Sequence, residues 1–596
     1  MRKDVLFLVI CVALIAFSAG MARGIETDFG KVDVRTVRFT TPDGYGMSAK
    51  LYRHKAATPD NPMPGVLALH GYQNDKETAA AGAIELARRG FVVLAIDHLG
   101  HGDSDGHMDW QTASGANAGY LYLKSLPFVD ASNLGIMGHS MGAMNTVALG
   151  SLNPDHRALN PQCGPPGSPE LHNLLLTQAK YDEFRGFREN QLTVEPLKNH
   201  PNRIEAFGLE SGPVEWNVTY GDFEDGTARQ AALVNTVHPG VTHSSVAVSK
   251  MLWWMQQALK GGQVDAYWIP EDSLIFLWKE IFMFAAMLVS LVSMIPLTNI
   301  LLSTKFFAPV GGPLPDRYAA TGGDWWKLAA INIVIAGATY PPLTALGGIG
   351  GKIRPLIPFL KLEMTNGAVV WFLANAVINA VLLYFWYRKN HKERGVTMYD
   401  LGVSFDRERT VLDWSAIGKT VLVAAILFAW LHTLVGISQW LWGIEFRFIW
   451  PFMRQFSPRR FGYFWIYLLL SLPFFLFNLG TFLFGQARQR EYETPAKTQV
   501  IWWLKNCVNG LLGLVIVWLV QYIPYFLNIG PGFEVMGLPQ YSQMWPLMLF
   551  IFVPEYIVLF FFLTWFYRRT GKIYLGALMG ASLVMWFSVA GTVIAP

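Results

Sequence analysis

Two regimes of hydrophobic patterning divide this 596-residue chain. Between residues 30 and 262, short apolar or β-branched runs alternate with stretches of helical period. Residues 34–39, 65–70, 91–96, 133–137 and 173–177 read as strands, and 79–89 and 141–149 read as helices between them. Apolar runs that are continuous rather than alternating, and separated by helices, predict a mostly parallel sheet covered on both faces. The Pro/Gly-rich stretch 160–169 reads as a loop, and 245–260 as a closing helix ended by Gly261-Gly262. Beyond Leu274 the pattern changes to long apolar segments at about 274–301, 326–347, 367–387, 416–437, 462–485, 500–527, 544–566 and 573–594. Each has about the twenty residues that a bilayer core demands. At the other end, Arg2-Lys3 precedes an apolar stretch over 5–19 and then small residues, the pattern of a signal peptide or signal anchor over 1–22. The expected organisation is therefore that segment, an α/β unit over 30–262, a linker over 263–273 and an all-α membrane domain of about eight helices over 274–596.

Composition sharpens this picture. Charged residues make up 15% of the chain, against roughly 25% in soluble proteins, and they crowd before residue 273. The 22 Trp and 22 Tyr, many near the ends of apolar runs, suit interfacial aromatic belts and a lipid-bilayer partner. A net charge of +4 with no basic stripe argues against a nucleic-acid partner. Of three cysteines, Cys11 and Cys507 lie in apolar segments and Cys163 stands alone, so no disulfide framework is expected. Asn217-Val218-Thr219 fits a glycosylation sequon.

The positive-inside rule orients the chain. With the α/β unit outside, Arg2 and Lys3, the loop at Lys305, the loop 388–394, Arg488, Arg490 and Lys497, and Arg568, Arg569 and Lys572 fall inside, as required. The outer loop 528–543 carries no Lys or Arg. Two outer loops dissent, one with Lys352, Arg354 and Lys361, the other with Arg447, Arg454, Arg459 and Arg460. The balance predicts an integral cell-membrane protein with an extracytoplasmic α/β unit.

The sharpest chemical signal is Gly138-His139-Ser140-Met141-Gly142, which follows a strand-like run and opens a helix. In Gly-x-Ser-x-Gly the serine occupies a strained strand-to-helix turn that exposes Oγ and sets a helix N-terminus beneath a developing oxyanion. Upstream, one strand-like run ends in His70-Gly71-Tyr72-Gln73, and another ends in Asp97 and Gly100-His101-Gly102-Asp103-Ser104. This order of motifs resembles the α/β-hydrolase superfamily, especially its esterase, monoacylglycerol-lipase-like and peptidase-like members. The resemblance covers about 30–262.

It implies a Ser-acid-His triad in that chain order, with the acid after a late strand and the histidine between the last strand and the last helix. Asp182 is the expected acid, with Asp222 and Asp225 as alternatives. His243, just before the closing helix, is the expected base, with His238 as the alternative. Ser140 is the nucleophile, and the N–H of Met141 with that of Tyr72 or Gln73 forms the oxyanion hole. His70, His101 and Asp97 are expected to brace their turns. No His/Cys/Glu cluster has metal-ligand spacing, so neither a metal nor another cofactor is expected. In the membrane part, Glu555 and His432 are the embedded polar candidates, and Lys279 and Glu280 are expected to snorkel to the interface. The expected activity is cleavage of a carboxylic ester, a small-molecule or lipophilic one, by a membrane-bound serine esterase or lipase. A serine peptidase, an acyltransferase, and a transporter with a hydrolase-like accessory domain are the alternatives. Nothing in the pattern specifies an oligomeric state.

Overall fold

The computed structural model describes residues 1–109, 113–315, 322–353, 356–450, 452–485 and 491–596. The charge-rich part of the chain folds around one nine-stranded sheet. Its strands are β1 (Val32–Thr40), β2 (Gly46–His54), β3 (Met63–Leu69), β4 (Val92–Ile96), β5 (Val129–His139), β6 (Ala158–Gln162), β7 (Leu174–Tyr181), β8 (Thr219–Tyr220) and β9 (Arg229–Val237). They lie in the order β1-β2-β4-β3-β5-β6-β7-β9-β8. From β4 through β9 neighbouring strands are parallel, while β2 and β8 run against their neighbours.

Helices α2 (Ala80–Arg88), α3 (Ala116–Lys124) and α4 (Met141–Leu152) make the crossovers, α5 (Pro201–Ala206) lies between β7 and β8, and α6 (Ser245–Lys260) closes the unit. Ile84 of α2 and Leu252 of α6 pack on Val66, Ala68 and Val93. Tyr120 of α3 and Leu149 of α4 pack on Leu67, Leu94 and Ile136 across the sheet. Alternate residues of β3 thus serve opposite layers, and burial of both faces makes the central strands read as unbroken apolar runs.

Three strands were hidden from the hydrophobic pattern because each buries a polar residue with its partners. In β2, Lys50 is buried with its Nζ 2.8 Å from Glu26 Oε1 and paired also with Glu77. In β6, which occupies part of the expected 160–169 loop, Asn160 Nδ2 donates to Leu175 O and Thr177 Oγ1 at 2.8 and 2.9 Å. In β9, Arg229 donates to the carbonyls of Ala228 and Pro169, each at 2.8 Å.

The remaining helices are α1 (Arg2–Glu26), α7 (Phe276–Leu302), α8 (Gly322–Gly347), α9 (Glu363–Arg394), α10 (Trp414–Trp442), α11 (Pro458–Pro473, continuing as a wider helix to Gly485), α12 (Pro495–Phe526), the short α13 (Gly532–Val535), α14 (Met544–Thr570) and α15 (Tyr574–Gly591). Among the described residues, nine helices are long and apolar enough to cross a membrane: α1 and the eight expected spans. Helix α1 lies along α7, with Phe17 edge-on to Phe282 at 6.1 Å.

Buried ion pairs join the helical bundle to the α/β unit. Glu26 Oε1 accepts from Lys50 and from Lys279 of α7, each at 2.8 Å, and Lys279 also reaches Glu77 at 2.8 Å. Lys279 and Glu280 therefore do not snorkel. Lys279 is sealed among carboxylates, and Glu280 accepts from the Ile449 N–H at 2.9 Å. Burial pushes the Asp75 carboxyl up, but Arg447 and Arg454, each at 3.0 Å, outweigh it and hold Asp75 at about 2. Arg454 also pairs with Asp103, while Arg459 and Arg460 donate to the carbonyls of Gly106 and Gly102. The four arginines of the second dissenting loop are thus spent on contacts with the α/β unit. Arg354, Arg488 and Arg490 lie outside the described residues.

Candidate active site

Strand β5 delivers Ser140 into a turn with φ 57° and ψ −115°, a conformation that a side chain adopts only under strain. The flanking glycines are required by contact. A Cβ on Gly138 would stand 2.3 Å from the Gly142 carbonyl oxygen, and one on Gly142 would stand 2.4 Å from that of Leu69. The turn is held by the Ser140 N–H, which donates to Gln162 O of β6 at 2.9 Å.

The loop after β3 lies against this turn, so that a Cβ on Gly71 would be 3.1 Å from the Cβ of Ser140. A tight turn closes there, with the Asn74 N–H donating to Gly71 O at 3.2 Å and Gln73 held at φ 65°. Tyr72, Gln73 and Met141 line the same cavity as Ser140. Both loop side chains are tied to the helical bundle: the Tyr72 hydroxyl donates to Glu363 Oε2 at 2.7 Å, and Gln73 Oε1 accepts from the Val593 N–H at 3.0 Å.

Asp182 follows β7, is fully buried, and accepts at Oδ1 from Nδ1 of His238 at 2.9 Å. The Phe184 N–H and the Gln178 side-chain amide also donate to its carboxyl, at 3.0 and 3.2 Å. Burial pushes Asp182 up, but the His238 ring, the Phe184 N–H and the charge of Arg188 hold it below the usual carboxylate value. With Nδ1 committed to Asp182, Nε2 of His238 is left enclosed and without a hydrogen-bond partner. The ring is fixed between Phe184 at 4.4 Å and Phe187, parallel to it at 5.5 Å.

His238, the alternative, therefore meets Asp182, while His243 turns elsewhere. Its Nδ1 bonds the Thr242 hydroxyl at 2.9 Å, and its Nε2 lies 3.8 Å from Glu280 of α7. The physical reason is β9: the strand ends at Val237, and the next residue swings its ring to the acid. Asp222 and Asp225 sit on an exposed turn, where Asp222 Oδ1 accepts from the Glu224 N–H.

His70 lies between the Gly71 carbonyl and the His98 N–H, and His101 bonds Leu99 O. Asp97 accepts from Lys76 and the Asp103 N–H. All three brace turns. Sequence reasoning missed Glu183, whose carboxyl accepts from the His238 N–H at 2.8 Å and from the Tyr522 hydroxyl at 2.6 Å. Burial pushes Glu183 up to about 7. Its adjacency to Asp182 was the only signal available in the chain. Among the described residues, one grouping brings metal-ligating atoms within 4.8 Å of one another, namely His139, Cys163 and His238. Two of its nitrogens are already engaged, His238 Nδ1 with Asp182 and His139 Nε2 with His238 O. Burial drives His139 down to about 3, so its ring is neutral.

Ser140 and His238 open into a cavity of about 280 Å³ whose opposite wall belongs to the helical bundle: Met364 and Ala368 of α9, Leu547 and Glu555 of α14, and Phe587 of α15. Glu555 lines this cavity with Oε1 unpartnered. His432 does not line it and packs instead beside Phe428, Phe456 and Trp586.

Residues 60–166 match the family described as serine aminopeptidase, S33. No curated protein matches the chain. Similar solved structures include an esterase of Pyrococcus furiosus at 16% identity, covering 38% of this chain and 94% of that one, with a TM-score of 0.29. A hypothetical protein of Pseudomonas aeruginosa is 13% identical over 39% of this chain and 95% of that one, also with a TM-score of 0.29. The protein DcsB, in complex with a substrate analogue, is 21% identical over 25% of this chain and 46% of that one, with a TM-score of 0.20. Strand order and the strained Ser140 elbow give the charge-rich part of this chain an α/β-hydrolase fold, residues 60–166 of which are similar to a serine-hydrolase family, joined to a bundle of long apolar helices.

Proposed function

We propose that this protein is a membrane-bound serine hydrolase that cleaves the carboxylic ester of a lipid or another lipophilic acylated molecule. One observation carries the reading: the cavity onto which Ser140 opens is walled by the apolar helices of the bundle rather than by solvent. A substrate that reaches the serine there leaves water for apolar surface, which favours a hydrocarbon-bearing ester.

In this reading Ser140 Oγ attacks the ester carbonyl while Nε2 of His238 takes its proton. Asp182 holds the ring through Nδ1–H and offsets the imidazolium charge. The N–H groups of Met141 and of Tyr72 or Gln73 receive the oxyanion. The tetrahedral intermediate collapses to an acyl-Ser140 ester as His238 gives the proton to the departing alcohol. Water, deprotonated by His238, then releases the acid.

The bundle also bears on location. Basic residues gather at the helix ends away from the hydrolase, where Arg569 donates to Asn299 and Arg394 pairs with Asp324. With Arg447 and Arg454 of the 438–461 loop paired to Asp75 and Asp103 of the hydrolase, this asymmetry supports an extracytoplasmic hydrolase in a cell membrane. Helix α1 contributes Glu26 to the buried ion cluster, which supports a retained anchor.

The test is fluorophosphonate labelling of the detergent-purified protein with turnover of p-nitrophenyl esters, comparing wild type with Ser140→Ala and His238→Ala. Labelling confined to wild type, with turnover that rises with acyl length, is the expected result. An unlabelled, folded wild type would leave the hydrolase reading without support. A peptidase is the second reading, favoured by the description of the matching family. Aminoacyl p-nitroanilide turnover exceeding ester turnover would establish it.

A further inference from the structure

A second cavity, of about 320 Å³, adjoins the one that holds Ser140. The two share six wall residues: Pro239, Trp450, Phe550, Ile551, Glu555 and Phe587. The remaining walls of the second chamber come mainly from the bundle, including Leu288 and Leu291 of α7, Val558 and Phe562 of α14, and Leu583 of α15. Val237 and Gly240 also border it, so it reaches the loop that carries His238. Among its described wall residues Glu555 alone is ionisable, and it stands in the part shared with the cavity at Ser140.

A water molecule needs two to four polar partners to settle in a cavity, and beyond Glu555 and the Trp450 indole the described walls of this chamber are apolar side chains. An unfilled void of this size removes packing contacts from every wall, so a fold that keeps it open gains nothing unless something apolar fills it. Its volume lies at the lower end of the range for ligand cavities, which suits a single slender group rather than a bulky one.

On the reading that Ser140 is the nucleophile, we propose that this chamber receives one long hydrocarbon chain of the ester while the ester group lies at Ser140. The substrate class is thereby narrowed to esters with a long unbranched apolar chain, and the helical bundle becomes part of the specificity pocket rather than a mere anchor. Two sources of that chain share the chemistry, the acyl group and the alcohol. The chamber meets the loop of the histidine that protonates the leaving alcohol, so the experiment has an arm for each.

Leu288 and Val558 line the chamber but not the catalytic cavity, and both are only partly buried, so a larger side chain has room to enter without breaking a packed core. Leu288→Trp and Val558→Phe would be compared with wild type on p-nitrophenyl butyrate, octanoate, dodecanoate and palmitate. A second series would be butyrate esters of short and long straight-chain alcohols, read by acid release. Fluorophosphonate labelling equal to that of wild type verifies that each variant folds. The expected result is a loss of about tenfold or more in kcat/KM for the long-chain members of one series, with butyrate esters of short alcohols changed less than about twofold. Loss in the acyl series assigns the chamber to the acid part, and loss in the alcohol series assigns it to the leaving group. Two well-labelled variants with unchanged length profiles in both series would overturn the proposal while leaving the hydrolase intact. Absence of labelling and of all turnover in wild type would instead overturn the hydrolase reading on which it rests.

Discussion

The pairing of Asp182 with His238 rather than His243 makes an unequal prediction for two histidines five positions apart. Removing the base of a Ser-His-Asp triad costs about 10⁴- to 10⁶-fold in kcat, because serine then attacks without a proton acceptor. At about 1.4 kcal/mol per decade, His238→Ala should raise the barrier by roughly 5–8 kcal/mol. His243 has the Thr242 hydroxyl at 2.9 Å and Glu280 at 3.8 Å. Its loss removes the hydrogen bond to Thr242, worth about 1 kcal/mol, and a contact with Glu280 remote from the Asp182 pair, so less than about tenfold is expected in acylation. His238→Gln is the better partner variant, because its amide can still donate to the buried Asp182 carboxylate, whereas alanine removes that donor and leaves the charge less compensated. The assay is single-turnover acylation by p-nitrophenyl butyrate at matched concentrations of protein whose folding is verified by thermal unfolding. Equal, large losses in His243→Ala and His238→Gln would refute the assignment of the base, and retention of rapid acylation in His238→Gln would refute it outright.

Three further outcomes are expected. Gly142→Ala puts a methyl 2.4 Å from the Leu69 carbonyl oxygen, which is backbone and cannot swing aside; a loss of about 1–3 kcal/mol in stability and a collapse of labelling should appear together in thermal scans and probe assays. Glu183 keeps its proton up to about 7 when folded, against 4.5 for a free glutamate. Between those values only the unfolded chain ionises it, so stability falls as pH rises through this window, by on the order of 3 kcal/mol at the upper end. Glu183→Gln should therefore flatten the decline in melting temperature between about pH 5 and pH 8, and an unchanged slope would contradict the assignment. Arg447→Leu should destabilise more than Arg454→Leu, within the roughly 3–5 kcal/mol typical of a broken buried pair. Without Arg447, Glu445 keeps only Arg454 at 3.9 Å, whereas without Arg454 both Asp75 and Asp103 retain a cation within 3.0 Å. Detergent-phase thermal unfolding of both variants would show the order.

The elbow and the eight spans were legible because each rests on a local rule. Gly138 and Gly142 are demanded by backbone contacts within the turn, and a span needs only length and apolarity. The strands that failed were those whose polar residues are satisfied by distant partners. Lys50 reads as a surface lysine until Glu26 and Glu77, contributed from other segments, close around it. Overlooking β9 had the larger consequence: with that strand in place, the rule that the histidine follows the last strand selects His238 directly. Glu183 and the roof of the cavity were beyond reach for the same reason, since Tyr522 and Glu555 are more than three hundred residues from the elements they meet.

These long-range contacts share a direction. Tyr72 and Gln73, beside the elbow, are held by Glu363 and by the Val593 N–H. The acid loop is held by the hydroxyls of Tyr522, which donates to Glu183, and of Tyr525, which donates to the Asp182 carbonyl. Asp75, two residues after Gln73, is clamped by Arg447 and Arg454. Each of these loops around Ser140 therefore takes part of its geometry from the helical bundle. Catalytic groups must be held within a fraction of an ångström of their working positions. On the proposed reading the bundle thus does more than anchor the hydrolase: it contributes walls to the cavity at Ser140 and buttresses to the loops assigned the oxyanion hole and the acid.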